Sequence, residues 1–429
     1  MDTSNVDWDL LSSYAGLLSL ATLSIYAGSF GSLPPEKSNA DDSLDSDEED
    51  HDDGERMTLN DAYIFPIVGS VALVGLYLVV KYFGTEWINW FLGWYFSIAG
   101  VGSVWKASVS LLRYAFGEST WKKFDRLTVI ANKGSHALFS LSFRTPSLFL
   151  FPIAIIPSAA YHFWSAGRRS VLVTDILGLS FSYNALGLLK LDSFKTGAIL
   201  LSGLFLYDIW WVFGTEVMVK VATTLDLPIK IMWPKSLLFS GSRGYTMLGL
   251  GDIVIPGTFV ALALRYDYAR FSRSKESASS EIAKGSKNGD DIATITFNQT
   301  PKPYFAATLT AYVLGLVTTM VVMHMFGKAQ PALLYLSPAC ILSFVFTAAI
   351  RGEFEDAWGW SDLPPEEDDG ETSKEVKAQV EKGEDAAEVN VVSAKLSGEA
   401  AGTGVDLREK HGNGTTVHNR PVPKSLGRR

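Results

Sequence analysis

LFLYDIWWVFGTEV, residues 204–217, sets a carboxylate, Asp208, among aromatic and aliphatic side chains, with Trp210, Trp211 and Phe213 close behind it. The apolar run around it extends from 196 to 218. About 20 mostly apolar residues are needed for a helix to cross roughly 30 Å of hydrocarbon. A soluble core has no need of an uninterrupted run of that length, so the stretch reads as a membrane-spanning helix with an acid near its centre.

The same ruler finds further spans at 10–32, 62–83, 88–112, 147–164, 170–189, 247–265, 304–326 and 331–350, nine in all with 196–218. The chain of 429 residues is 47% hydrophobic and 12% aromatic, yet carries a net charge of -9. These figures agree once the charge is seen to be segregated. Most of the acid lies in DDSLDSDEEDHDDGE at 41–55 and in the stretch from Asp362 onward, both of which read as solvated, disordered segments. The expectation is an all-α polytopic membrane protein. Residues 1–32 form a tip and first span, 33–61 an acidic loop, 62–190 spans two to five, 191–350 spans six to nine, and 351–429 a disordered tail. The first span follows Asp2, Asp7 and Asp9 and lacks the basic flank and small-residue cleavage site of a secretory signal, so it reads as retained.

Lys and Arg in short loops set orientation. With the N-terminus outside, seventeen of them fall in internal loops and seven in external ones. The bias places the N-terminus outside and the C-terminus in the cytosol. The sequons at Asn298 and Asn413 would then face the cytosol unmodified. The single cysteine, Cys340, lies inside a span, so no disulfide framework is expected.

A carboxylate at the bilayer centre costs about 2.5 to 3.5 kcal/mol on insertion scales, and such residues usually face a bundle interior or a wet cavity. Alone, Asp208 reads equally well as a protonated, hydrogen-bonded structural residue. A second acid changes that reading. The next span carries MLGLGDIVIPG, 247–257, with Asp252 about a turn and a half inside it and glycines at 249, 251 and 257. Two acids on adjacent antiparallel helices can meet, and at close range they cannot both ionise, so they share one proton. That is the condition for aspartic proteolysis, in which the ionised carboxylate activates water and the protonated one hydrogen-bonds the scissile carbonyl. Gly249 and Gly251 would let a substrate backbone or facing helix come close. Plain helix packing is the alternative, with most weight at Gly203 and Gly257.

These residues resemble the motifs of the intramembrane aspartyl proteases. Tyr207-Asp208 looks like the family's YD motif, Gly249-Leu250-Gly251-Asp252 its GxGD motif, and Gln330-Pro331-Ala332-Leu333 its QPAL motif. Each is weak alone; three in order, each at its expected span, are specific. The resemblance covers roughly 60–350, and YDIWWVFGTEVMVKVAT with LPIKIMWP is similar to signal peptide peptidases rather than presenilins, as is the external N-terminus. Relatives with a long luminal domain are disfavoured by the short stretch before the first span. The ending KSLGRR lacks the dilysine signal of animal members, and a fungal-type or other lower-eukaryotic member is suggested.

The resemblance implies a presenilin-like fold in which Asp208 and Asp252 are the catalytic pair, with no basis for choosing the base. Tyr207, Gly249, Leu250, Gly251, Gln330, Pro331, Ala332 and Leu333 would shape the active site. Tyr207 reads equally as a core aromatic. Pro331, lacking an N–H, is expected to leave extended backbone lining the cavity. No cofactor or metal is implied. The substrates would be membrane-embedded peptides, namely remnant signal peptides and tail-anchored or misfolded membrane proteins, cut in the endoplasmic reticulum membrane by an enzyme with a luminal N-terminus. Quality-control partners and self-association fit the same picture; nucleic acid does not.

Asp175 and Glu216 read as interfacial or cavity-wetting, and His162 and His324 as interfacial. No GxSxG elbow, phosphate loop or dinucleotide fingerprint is present. The rival functions are a proton-coupled carrier, which also uses paired membrane carboxylates, and a non-proteolytic scaffold for membrane clients. The lack of internal repeats and the three ordered motifs count against the carrier.

Overall fold

A computed structural model describes residues 8–34, 56–121, 123–133, 136–163, 171–215, 217–218, 221, 228–235, 244–283, 297, 300–327 and 330–362. The acidic block at 41–55, the tail beyond 362, Glu216 and both sequon asparagines lie outside these described residues.

The helices are α1 (Trp8–Gly31), α2 (Leu59–Phe83), α3 (Thr85–Phe116), α4 (Glu118–Trp121), α5 (Thr145–Phe163), α6 (Val171–Leu188), α7 (Phe194–Phe213), α8 (Gly251–Ala283), α9 (Pro303–Phe326), α10 (Leu333–Arg351) and α11 (Phe354–Gly359). Among the described residues nine helices reach 18 residues, and seven of the nine are apolar enough to cross a membrane. The two exceptions are α3, which carries Glu86, Lys106 and Arg113, and α8, which runs on into RYDYARFSRSKES at 265–277. The fold is helical and polytopic, as expected.

Local chemistry explains several boundaries. Asp61 accepts the Thr58 N–H at 2.9 Å where α2 begins, and Ser193 accepts the Thr196 N–H at 3.3 Å where α7 begins; both are N-terminal caps. Gly327 and Gly352 close α9 and α10 with φ of 62° and 67°, a left-handed conformation that glycine adopts without steric cost. α7 was expected to reach 218 but stops at Phe213, where the Gly214 N–H donates to the Trp210 carbonyl.

Among the described residues three strand pairs interrupt the helices: β1 (Arg56–Met57) with β4 (Lys190–Leu191), β2 (Arg126–Lys133) with β3 (His136–Arg144), and β5 (Lys230–Pro234) with β6 (Tyr245–Gly249). None was expected from the sequence. β6 occupies positions assigned to the seventh span, so α8 starts at Gly251 rather than 247.

α6, α7, α8 and α10 form the centre of the bundle. α1 packs on α6 and α8, α2 on α7, α3 on α5 and α6, and α9 on α8 and α10. Where α7, α8, α9 and α10 meet, Phe194 stacks on Phe344 at 3.9 Å between centroids, and Phe259 stands edge-on to both.

At the same end of the bundle the chain is clasped. Arg265, 3% exposed, donates to Asp362 at 2.9 Å, to the Leu191 carbonyl at 3.0 Å and to Ser32 at 3.3 Å. Arg56 donates to the Asp362 carbonyl at 2.7 Å. Trp360 is buried against Phe194 and Tyr266. Residues 32, 56, 191, 265 and 362 thus share one face, as alternating passes require. The tail boundary drawn at 350 is corrected accordingly: residues 351–362 belong to the packed body, held by α11, Trp360 and Asp362.

Candidate active site

Asp208 lies on α7 and is 5% exposed. Of the three aromatics after it, only Trp211 turns inward; Trp210 and Phe213 are 67% and 58% exposed. Trp211 donates its indole N–H to Ser70 of α2 at 3.2 Å. Tyr207 is half-buried, with its ring against Trp211 and beside Gly69 of α2. Tyr207 and Trp211 therefore fix α7 against α2, and the packing role for Tyr207 has direct contacts behind it.

Asp252 sits in the first turn of α8, directly after the strand β6, rather than a turn and a half inside a span. The hairpin delivers it there. Strand pairing runs from Pro234↔Tyr245 to Lys230↔Gly249, and the Leu250 N–H then donates to the Ile229 carbonyl at 2.9 Å. Pro256, one turn further on, has no N–H to give the Asp252 carbonyl.

The two acids come within electrostatic reach of each other, on helices that pack together and against α10. The third motif meets them there. Pro331, Ala332 and Leu333 are buried, with Gln330 at the edge. Ala332 has helical angles, φ -69° and ψ -36°, so the extended stretch expected here ends before it. Leu333 is the first residue of α10, and its N–H has no carbonyl one turn back to bond. It donates instead to Oδ2 of Asp208 at 3.2 Å. Asp252 in the first turn of α8 and Asp208 on the first N–H of α10 thus face two helix N-termini, whose dipoles favour negative charge.

The glycines divide by role. A Cβ at Gly257 would stand 2.8 Å from the Leu186 side chain, and one at Gly203 2.9 Å from Pro66, so both are packing glycines. Among the described residues, a Cβ at Gly249 would meet only Oδ2 of Asp252, at 3.5 Å, and one at Gly251 nothing within 4 Å. Helix packing therefore does not account for Gly249 and Gly251. Leu250 is buried against α6, beside Gly178.

Tyr312 of α9 is wholly buried within electrostatic reach of Asp252, and its hydroxyl has no hydrogen-bond partner among the described residues. Sequence reading passed it over, since a tyrosine in an apolar span carries no motif. Asp175, read as interfacial or cavity-wetting, is buried and accepts the Met232 N–H. His162 packs against Trp94 with the two rings tilted at 46°, and His324 is exposed. Among the described residues no group of His, Cys, Asp and Glu could hold a metal, and Cys340 is a free, buried thiol.

The family model for signal peptide peptidase matches residues 49–363. The chain is 34% identical to the signal peptide peptidase of Mus musculus over 367 residues, 84% of this chain and 86% of the mouse protein. It is 34% identical to the signal peptide peptidase of Homo sapiens over 359 residues, 82% and 84% of the two chains. A probable intramembrane protease of Schizosaccharomyces pombe is 34% identical over 322 residues, 75% of this chain and 90% of the yeast protein. These matches favour the protease reading over the carrier and scaffold readings. The apolar helices, the ordered motifs and the matches over most of the chain agree: it belongs to the signal peptide peptidase family, whose members are intramembrane proteases of the aspartyl class.

Proposed function

We propose that Asp208 and Asp252 are the two acids with which this protease hydrolyses peptide bonds inside the membrane. Water lies between them and the scissile carbonyl. One carboxylate takes a proton from the water as its oxygen attacks the carbonyl carbon, and the other acid gives its proton to the carbonyl oxygen. The gem-diol intermediate then collapses: the first acid passes the proton it took from water to the leaving nitrogen as the C–N bond breaks, and the second recovers its proton from a gem-diol hydroxyl. The pair carries one negative charge throughout, and the N-termini of α8 and α10 favour it. The observation that carries the reading is the meeting of three separate motifs, with Asp252 near Asp208 and the Leu333 N–H on Asp208.

A helical substrate hides its carbonyls in hydrogen bonds, so the cut segment must first unwind. Gly249 and Gly251, which the packing of the bundle does not require, leave room beside Asp252 for that extended backbone. Tyr207 holds Asp208 in place, while Leu250, Gln330, Pro331 and Ala332 shape the walls. The substrates are remnant signal peptides and other type II-oriented membrane segments, including those of tail-anchored or misfolded proteins. The enzyme works in the endoplasmic reticulum membrane with a luminal N-terminus and cytosolic C-terminus, the orientation that the loop charges favour. Quality-control partners and self-association extend the same reading.

The test is a cleavage assay. Protein purified in detergent is given a synthetic signal peptide, and the fragments are mapped by mass spectrometry. Cuts within the apolar core support the proposal; an intact peptide after incubation with folded protein that also fails to bind a transition-state analogue counts against it.

A further inference from the structure

α6 carries one acid, Asp175, and it is buried, at 8% exposure. An acid in an apolar helix of the bundle interior is costly, and it persists where its oxygens find donors. The donor here is backbone: the Met232 N–H gives a hydrogen bond to Oδ1 of Asp175 at 2.8 Å. Met232 is the middle residue of β5, and its other neighbours are already committed to the hairpin, in which it pairs with Met247.

α6 is shaped for this contact. Gly178 lies nearly one turn beyond Asp175, and a Cβ there would stand 3.5 Å from the Lys230 carbonyl oxygen and 3.8 Å from Leu250. α6 and β5 therefore lie directly against one another, with the carboxylate of Asp175 as the polar link. From Met232 the connection runs to the reacting centre without a break. The strand ladder joins β5 to β6 as far as Gly249, the Leu250 N–H closes on the Ile229 carbonyl, and Asp252 follows in the first turn of α8. The hairpin is also tied to α1, where Thr246 is hydrogen-bonded to Ser13. Asp175 supplies the tie on the other side.

We propose that Asp175 is a positioning residue for Asp252: by holding the Met232 N–H it fixes β5 on α6, and through the hairpin it sets where Asp252 stands relative to Asp208. The inference rests on the reading of Asp208 and Asp252 as the catalytic pair. Asp175 itself touches no reacting atom. Its effect is geometric, and a displacement of about 1 Å at a reacting centre can cost on the order of a hundredfold in rate.

Two full-length variants test it. Asp175→Leu removes the acceptor while keeping the branched shape of the side chain and easing membrane insertion. Asp175→Asn keeps an amide oxygen that can accept the same N–H. Cleavage of a synthetic signal peptide should show kcat of Asp175→Leu reduced roughly ten- to a hundredfold with KM changed by less than about threefold, and kcat of Asp175→Asn within about fivefold of the parent. Amide exchange of β5 and β6 should be faster by about tenfold or more in Asp175→Leu and close to parental in Asp175→Asn.

Parental kcat in Asp175→Leu would overturn the inference. So would an equal loss in both variants, which would make the charge and not the acceptor the active feature, or a raised KM at parental kcat, which would make Asp175 a substrate contact. Should the parent itself cleave nothing, the catalytic reading falls, and the exchange measurement still decides the anchoring: unchanged hairpin exchange in Asp175→Leu overturns it.

Discussion

Leu333 reaches Asp208 through its backbone: its N–H donates to the Asp208 carboxylate at 3.2 Å across 125 residues of sequence. The bond ties the N-terminus of α10 to the middle of the bundle, and any residue with an N–H could make it. Leu333→Pro removes that donor, and trims the buried side chain as Leu333→Ala does, at a first helical position, where proline is well accepted, although Ala332 before it is then restrained. Cleavage should fall by roughly ten- to a hundredfold, the worth of a hydrogen bond to a charged group. Leu333→Ala keeps the donor and should lose stability instead, by about 2 to 5 kcal/mol for a truncated buried leucine, while kcat of the folded fraction stays near the parent. Comparable kcat losses in the two variants would show that the side chain, and not the N–H, matters to Asp208.

The glycines near the site should separate in the same way. Gly257→Ala drives a Cβ to 2.8 Å from Leu186 and 3.2 Å from Ile25, and overpacking of this kind costs about 1 to 3 kcal/mol. Gly251→Ala meets nothing within 4 Å among the described residues, so its melting temperature should equal or exceed the parent's, since alanine is the better helix former. Its KM should rise, because the added methyl occupies room that an extended substrate needs. Thermal unfolding and steady-state kinetics together check both halves; a parental KM for Gly251→Ala would show that the open space beside Asp252 is not used.

The clasp around Arg265 should be a large contributor to stability. Removing one partner of a buried ion pair leaves the other charge uncompensated, at about 3 to 5 kcal/mol, so Arg265→Ala should lower the melting temperature steeply. Asp362→Asn leaves the deeply buried Arg265 charge without its counter-ion, though with the Leu191 and Ser32 oxygens still accepting, and should lower the melting temperature as well. An Arg265→Ala protein melting with the parent would show that the clasp holds nothing.

Glu353 gives a pH signature outside the spans. Partial burial would raise its carboxyl, but the hydrogen bond and charge of Arg351 and the charge of Arg270 outweigh it and hold the group below its ordinary 4.5. A depressed folded value contributes stability that is present above the unfolded value and is lost as pH falls through the folded one. The melting gap between the parent and Glu353→Gln should therefore be full at neutral pH and close as pH drops below 4.5. For a largely exposed cluster it should amount to less than about 1 kcal/mol and shrink in high salt. A gap that widens on acidification would contradict the assignment.

The long helices were legible because length and hydropathy alone decide what can cross a bilayer, and Asp208 and Asp252 because an acid there is costly. Strand β6 was not legible: MLGL at 247–250 is as apolar as a helix start, and its pairing with β5 depends on residues beyond the span. LPIKIMWP, a short apolar piece bounded by prolines, was the strand signal available. The bonds from Leu333 to Asp208 and from Met232 to Asp175 also escaped, since their donors are backbone N–H groups that any residue but proline supplies. Charge placed residues 351–362 in the tail, but Trp360 and Asp362 bind them to the body through partners distant in sequence.

The measurement that bears most directly on the central claim compares the parent with Asp208→Asn, Asp252→Asn and the double variant on one synthetic signal peptide, with folding of each checked by thermal unfolding. If the two acids act as one unit, the parent cuts within the apolar core and each single variant loses as much activity as the double. Appreciable cleavage by either folded single variant would contradict the account.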